Sequence, residues 1–219
     1  MQQIDEPEGE SAVPVAPWRL QGAACLSLWR LPPAEPELGV LALDPALPLF
    51  TFAGNAFVAT IWAKYTGGTL SYDELAVAVL VRGKGLLVPA ASVTAIWVDD
   101  AVSAEGGRRL WNIPKALASF ETSSEADHGF VGRMTLDGQS IAQLRFEPKT
   151  LLPGRHELSG FVIQTGKGGP LRTRCAVNGK LCTGRARWEF AGAGPLAPLH
   201  GRKPLVSFSI GNMDAAFGV

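Results

Sequence analysis

The chain is poor in charge, in cysteine and in histidine, and each shortage closes off a class of function. Charged residues make up 18% of the 219 positions, with 20 Lys and Arg against 20 Asp and Glu. A net charge of zero gives no attraction toward nucleic acid or an anionic membrane, so neither is expected as a partner. The three cysteines, Cys25, Cys175 and Cys182, form no CxxC pair and no metal-ligand spacing. An odd set of this kind reads as free thiols in a reducing compartment. His128, His156 and His200 are the only histidines and are scattered in polar or Pro-Gly contexts, without a partner at metal spacing. With no G-x-S-x-G elbow either, zinc and serine-hydrolase chemistry find no support. No apolar run approaches the roughly 18 residues that span a bilayer. The opening "MQQIDEPEGESAVPVAP" carries four acids and no basic residue, so it is not a signal or transit peptide, and a cytoplasmic location is expected.

Turn formers are plentiful, with 25 glycines and 16 prolines. Between them lie short β-prone runs: "AACLSLWRL", "FVATIWAKY", "LSYDELAVAVLVRG", "SVTAIWVDD", "LSGFVIQT", "RARWEF" and "PLVSFSIGNMDAAFG". Two dipeptides of the kind that supplies the positive-φ residues of a type I′ turn predict hairpins: Asp137-Gly138 in "FVGRMTLDGQSIAQLRF" and Asn178-Gly179 in "TRCAVNGKLCTG". The second would set Cys175 and Cys182 near each other across a strand pair; reduced thiols remain the preferred reading. "GFVIQTGKGGP" misses the spacing of a phosphate loop and reads as a strand-to-strand turn. Only "DDAVSAEGGRRLW" has helical character, acids first and arginines last, with Gly106-Gly107 arguing against a long helix. The expected fold is therefore mainly β: an antiparallel closed or cone-like β-barrel with flanking sheet and one or two short helices. Residues 1–16 are expected to be a flexible acidic, Pro-rich segment, and residues 17–219 a single domain. The low-charge surface is compatible with a homo-oligomer. The six tryptophans lie mostly within strand-like runs, where core packing is their default role.

Two positions carry candidate chemistry. In "LSYDELAVAVLV" strand alternation sets Tyr72, Glu74, Ala76 and Ala78 on one face, where an acid beside two alanines suits a ligand cavity. A strand-end acid facing solvent fits that local pattern as well. In "GGRRLWNIPKALASF" the apolar flanks of Lys115 suit a buried amine. A lysine attacks a carbonyl only when unprotonated, and both burial in an apolar pocket and a neighbouring cation favour that form. The plain alternative is a lysine reaching from an apolar segment to water, one of seven in the chain.

The order "YTGGTLSYDELAVAVLV" followed by "VTAIWVDDAVSAEGGRRLWNIPKALASF" resembles the acetoacetate decarboxylase family, with its Tyr-x-Glu strand and its Gly-Arg-Glu-x-x-x-x-Pro-Lys segment. The closing "GRARWEFAGAGPLAPLHGRKPLVSFSI" is also similar, so the resemblance runs from about Pro17 nearly to the end. It implies a cone-like β-barrel, homo-oligomers, and an enzyme that forms a Schiff base with a small keto acid or ketone and needs no cofactor or metal. Lys115 matches the Schiff-base lysine and Glu74 the nearby acid, making these the expected catalytic pair. Gly107, Arg108, Trp111 and Pro114 match the framework of the lysine segment. Arg108, Arg109, Tyr72 and Trp111 are the expected substrate-binding set. The departures are Ala116, where the decarboxylases carry a second lysine, Arg109 in place of the Glu, and Ala23 near the place of an N-terminal arginine. The reaction implied is decarboxylation or a related aldol or dehydration step. The alternative is a ligand-binding barrel of the same fold without turnover.

Overall fold

The structure, a computed structural model, describes residues 13–33, 43–125 and 128–219, so most of the acidic N-terminal segment lies outside the described residues. Twelve strands and one α-helix follow in the order β1 (Trp18–Leu31), β2 (Thr51–Phe52), β3 (Asn55–Gly68), β4 (Tyr72–Val81), β5 (Ala90–Val98), α1 (Ala101–Trp111), β6 (Lys115–Leu117), β7 (Ser119–Ser124), β8 (Phe130–Leu136), β9 (Gln139–Leu151), β10 (His156–Gly166), β11 (Gly169–Phe190) and β12 (Val206–Phe217). The mainly β expectation holds, and the strands form a ring. β5, β4, β3, β1, β12, β11 and β10 are neighbours in that order, and β10 returns to β5. That last junction is parallel and has a single backbone pair, Val162↔Ala91. The carboxamide of Gln164 completes it: its oxygen accepts from Val93 N (2.9 Å) and Ser92 Oγ (3.0 Å), and its nitrogen donates to Val93 O (2.9 Å). A side chain there satisfies backbone groups that an ordinary ladder would pair. The ring is for this reason less regular than a continuous barrel.

β11 runs on beyond the ring to pair with β9, and β8 and β7 follow, so that a second layer folds over the outside. Strand alternation divides the apolar residues between two cores. The outer one, between ring and second layer, holds Trp29, Trp62, Leu75, Val77, Phe130, Met134 and Leu144. Gly132 is required there, because a Cβ at that position would lie 2.5 Å from the Trp62 ring. The inner core gathers Trp18, Ala76, Ala78, Val93, Ile96, Trp111, Ile113 and Val162, with partly buried residues of β3, β11 and β12 against it. β4 separates the two and is buried on both faces, which is why "LAVAVLV", after the two acids Asp73 and Glu74, is apolar without a break.

The Asp137-Gly138 hairpin is present between β8 and β9, with φ of 49° and 76°. Lys167-Gly168 turns β10 into β11, as expected for "GKGG". The Asn178-Gly179 hairpin is not there. β11 passes straight through it, paired to β10 on one side and β12 on the other, with a register shift between Asn178 and Lys180. The glycine serves close approach, since a Cβ on it would lie 2.4 Å from Ile210. The Asn side chain accepts from Arg155 Nε at 2.8 Å. Cys175 and Cys182 consequently sit seven residues apart on one strand, a span of about 23 Å, and cannot face each other. Among the described residues no helix is long and apolar enough to cross a membrane.

Candidate active site

Three elements converge on Lys115. The period of two along β4 sends Tyr72 and Glu74 to the inner face, with Ala76 and Ala78 beyond them. β6 lies parallel to β5 with Lys115 opposite Ile96, an inner-core residue, so the lysine also points inward. Between these strands runs α1. Asp100 caps it by accepting from Ser103 N at 2.5 Å, and Asn112 ends it in the left-handed conformation, φ 53°. That sharp stop brings the chain from helix to Lys115 in three residues. Gly106 and Gly107 do not break the helix; packing requires them. A Cβ on Gly106 would lie 2.5 Å from the Trp18 ring, and one on Gly107 would lie 2.6 Å from Lys115 Cδ. The glycine pair thus makes a groove for an indole and a lysine stem.

The amine is buried, with Lys115 6% exposed and Glu74 8%. Lys115 Nζ donates to Glu74 Oε2 at 2.8 Å, Ser103 Oγ at 3.0 Å and Tyr72 Oη at 3.2 Å. Three donors meet three acceptors, which completes the hydrogen-bonding capacity of an ammonium. The Tyr72 ring lies 4.7 Å and the Trp18 ring 5.9 Å from the same nitrogen. Burial, and then the Glu74 charge, push the phenols of Tyr72 and Tyr65 well above the ordinary tyrosine range. Both therefore stay protonated as hydroxyl donors. Their rings are 4.8 Å apart.

Of the residues expected at the site, Lys115, Glu74 and Tyr72 are brought together. Trp111 is buried in the inner core against Trp18 (4.9 Å) and Phe217 (4.7 Å), one ring removed from the amine. Arg108 and Arg109 are turned away. Ser103 and Gly107, four residues apart, share the helix face toward the lysine, and each following residue is rotated by about 100°. Arg108 is exposed and donates to the backbone carbonyl of Lys115 (2.6 Å), holding the β6 backbone rather than the amine's surroundings. Arg109 is exposed. Ala116 is paired with Trp97, exposed, and directed to the face opposite Lys115. Ala23 packs on the outer core; its inward neighbour, Ala24, is in register with Ala63, which pairs with Glu74. Ser103 and Trp18 did not stand out in the sequence. The signal for Ser103 was its spacing of four from Gly107, legible only once the helix is known to pass through the glycines.

Two open clefts, of about 550 and 500 Å³, lie elsewhere and do not include Lys115. The first is bordered by Arg155, already engaged with Asp214 and Asn178, and holds no group comparable to the buried amine-carboxylate pair. Among the described residues no group of His, Cys, Asp and Glu side chains is arranged to hold a metal.

Asp73, beside Glu74 but on the other face of β4, is a separate electrostatic feature. Burial and the Asp99 carboxylate hold its carboxyl above the usual range, against the pull of Lys64 at 3.6 Å. The folded protein keeps this proton to higher pH than the unfolded chain, so the group's contribution to stability falls as pH rises above about 4. Asp73→Asn is expected to remove that decline, its melting temperature gaining on wild type between about pH 4 and pH 7. A difference that does not grow with pH would contradict the assignment.

A profile of the acetoacetate decarboxylase (ADC) family matches residues 41–209. No curated protein sequence matches the chain. Among solved structures, similar folds include acetoacetate decarboxylase from Legionella pneumophila subsp. pneumophila str. Philadelphia 1, at 20% identity and TM-score 0.63 over 97% of this chain and 89% of that one. Another is an acetoacetate decarboxylase-like enzyme from Sphingomonas wittichii RW1, at 15% identity and TM-score 0.64 over 97% and 94%. A third is the enduracididine biosynthesis enzyme MppR complexed with the condensation product of pyruvate and imidazole 4-carboxaldehyde, at 18% identity and TM-score 0.60 over 96% and 90%. At these identities the likeness is one of fold.

Proposed function

The chain belongs to the acetoacetate decarboxylase family, and from that premise we propose that it is an enzyme in which Lys115 forms a Schiff base with a small keto acid or ketone. The observation that carries this reading is the buried amine 2.8 Å from a buried carboxylate, with aromatic rings around it. The pair supplies what imine formation needs. Glu74 takes a proton from the ammonium, and the neutral amine adds to the carbonyl carbon. The former carbonyl oxygen takes one proton from the added nitrogen and one back from Glu74, and leaves as water with the C–O electron pair. The resulting iminium draws electrons from the adjacent carbon. With a β-keto acid the C–C bond to the carboxylate breaks, CO2 departs, and the enamine is protonated at carbon before water releases the lysine. The condensation product held by MppR supports a wider version in which the enamine forms a bond to a second carbonyl carbon.

Ala116 does not weaken the proposal, because a side chain at that position is directed away from the amine. Arg108 is assigned to holding the lysine segment, and Arg109 has no role at the reacting centre. We assign the active form as a homo-oligomer on the family's pattern.

Reduction with borohydride in the presence of a panel of ketones and keto acids, followed by peptide mass mapping, tests the reading. An adduct on Lys115 is expected. Its absence across the panel overturns the assignment and leaves a ligand-binding protein of the same fold. Gly107→Ala gives a finer check, since its methyl would displace the lysine stem rather than backbone. Better helix propensity, about 1 kcal/mol, offsets the crowding. Stability is expected to change little while adduct formation slows by roughly tenfold to a hundredfold, as for a nucleophile misplaced by an ångström.

A further inference from the structure

The charges inside the ring bear on what its substrate carries. All 20 Lys and Arg residues of the chain lie among the described residues, and Lys115 alone of them is buried. Its charge is already matched by Glu74, 2.8 Å away. Around the pair the inner face is built from Ala63, Ala76, Val98 and Ala104 and the Tyr65 ring, with half-buried Ile61 in the next row along β3. The polar atoms left around the pair are the hydroxyls of Tyr72 and Ser103, both accepting from the amine, and the hydroxyl of Tyr65, held against Glu74.

Resting on the Schiff-base reading above, we infer that the preferred substrate is an uncharged ketone or aldehyde with an apolar substituent, not a keto acid. The reason is charge balance in a buried site. The ammonium and Glu74 sum to zero, and so do the iminium and Glu74 after condensation with a neutral carbonyl compound. A substrate carboxylate adds one buried negative charge with no cation left to meet it and with Glu74 close by. Burial of such a charge is costly, and the hydroxyls of Tyr72, Tyr65 and Ser103 offer it hydrogen bonds but no opposing charge. The aliphatic and alanine walls instead reward an apolar substituent by removing it from water. Discrimination against the acid thus arises from an unpaired charge, a repulsive device and not a steric one.

For such a substrate the covalent sequence balances without loss of CO2. The carbonyl condenses with Lys115 and releases water. A proton on the carbon next to the iminium passes to the Glu74 carboxylate, and the C–H electron pair becomes the enamine bond. Return of the proton and hydrolysis regenerate ketone and amine, or the enamine carbon attacks an aldehyde.

The experiment compares 2-pentanone with pyruvate and acetoacetate on the intact protein. Each is tested for borohydride trapping at Lys115, and 2-pentanone and pyruvate also for α-hydrogen exchange in D2O by NMR, with Lys115→Ala as the blank. The expected result is trapping and exchange at least about tenfold faster for 2-pentanone at equal concentration, a difference equivalent to about 1.4 kcal/mol. If either keto acid is trapped or turned over faster than 2-pentanone, the inference is overturned while the Schiff-base function stands. If no compound marks Lys115, both fall together.

Discussion

Lys115→Ala is expected to eliminate the borohydride-trapped adduct and to lower turnover by roughly 10⁴- to 10⁶-fold, the range that follows removal of a catalytic nucleophile. The same change has a structural consequence. Glu74 would be left buried without the cation 2.8 Å from it, and breaking one partner of a buried pair costs about 3–5 kcal/mol. Loss of activity alone would therefore not separate chemistry from misfolding. The double variant Lys115→Met with Glu74→Gln makes the separation, because it removes both charges and nearly keeps the side-chain volumes. Its melting temperature is expected to recover most of the loss, and its activity none. Recovery of activity along with stability would show that Lys115 serves only to hold the site together.

Glu74→Gln alone is the second large effect. The carboxamide can still accept from the amine, so the geometry survives, but it cannot take up a proton. Proton transfer by a positioned group contributes roughly 10²- to 10⁴-fold, and a loss of that size is expected in both the rate of imine formation and any later step at carbon. Its signature is slow but eventual labelling of Lys115 under prolonged reduction, in contrast with the complete blank of Lys115→Ala. Labelling at the wild-type rate would remove Glu74 from the mechanism. Tyr72 would then be the proton donor to examine, since its buried phenol remains protonated beside the same nitrogen.

Much of the layout is local and could be read along the chain. Alternation in "YDELAV" placed Tyr72 and Glu74 on one face, and the pair of positive-φ residues at Asp137-Gly138 made a hairpin. These signals work because strand period and turn dihedrals are properties of a few neighbouring residues. Asn178-Gly179 shows where such reasoning fails. The dipeptide permits a type I′ turn but does not impose one, and pairing on both sides of β11 outweighed it. The arginines failed for a related reason. Closeness to Lys115 in sequence suggested a shared pocket, but helix rotation sent Arg108 to a backbone carbonyl and left Arg109 exposed.

Lys115 itself was identified through the ordered Gly107-Arg108 and Pro114-Lys115 pattern and its apolar flanks, which are properties of the sequence. Its chemistry was decided elsewhere. The carboxylate at 2.8 Å comes from 41 residues earlier, the hydroxyl of Ser103 from the preceding helix, and the indole of Trp18 from the first strand. Local pattern sets which way each side chain points along its own element. Only closure of the ring, with α1 seated by its two glycines, sets which of those side chains meet and how deeply they are buried.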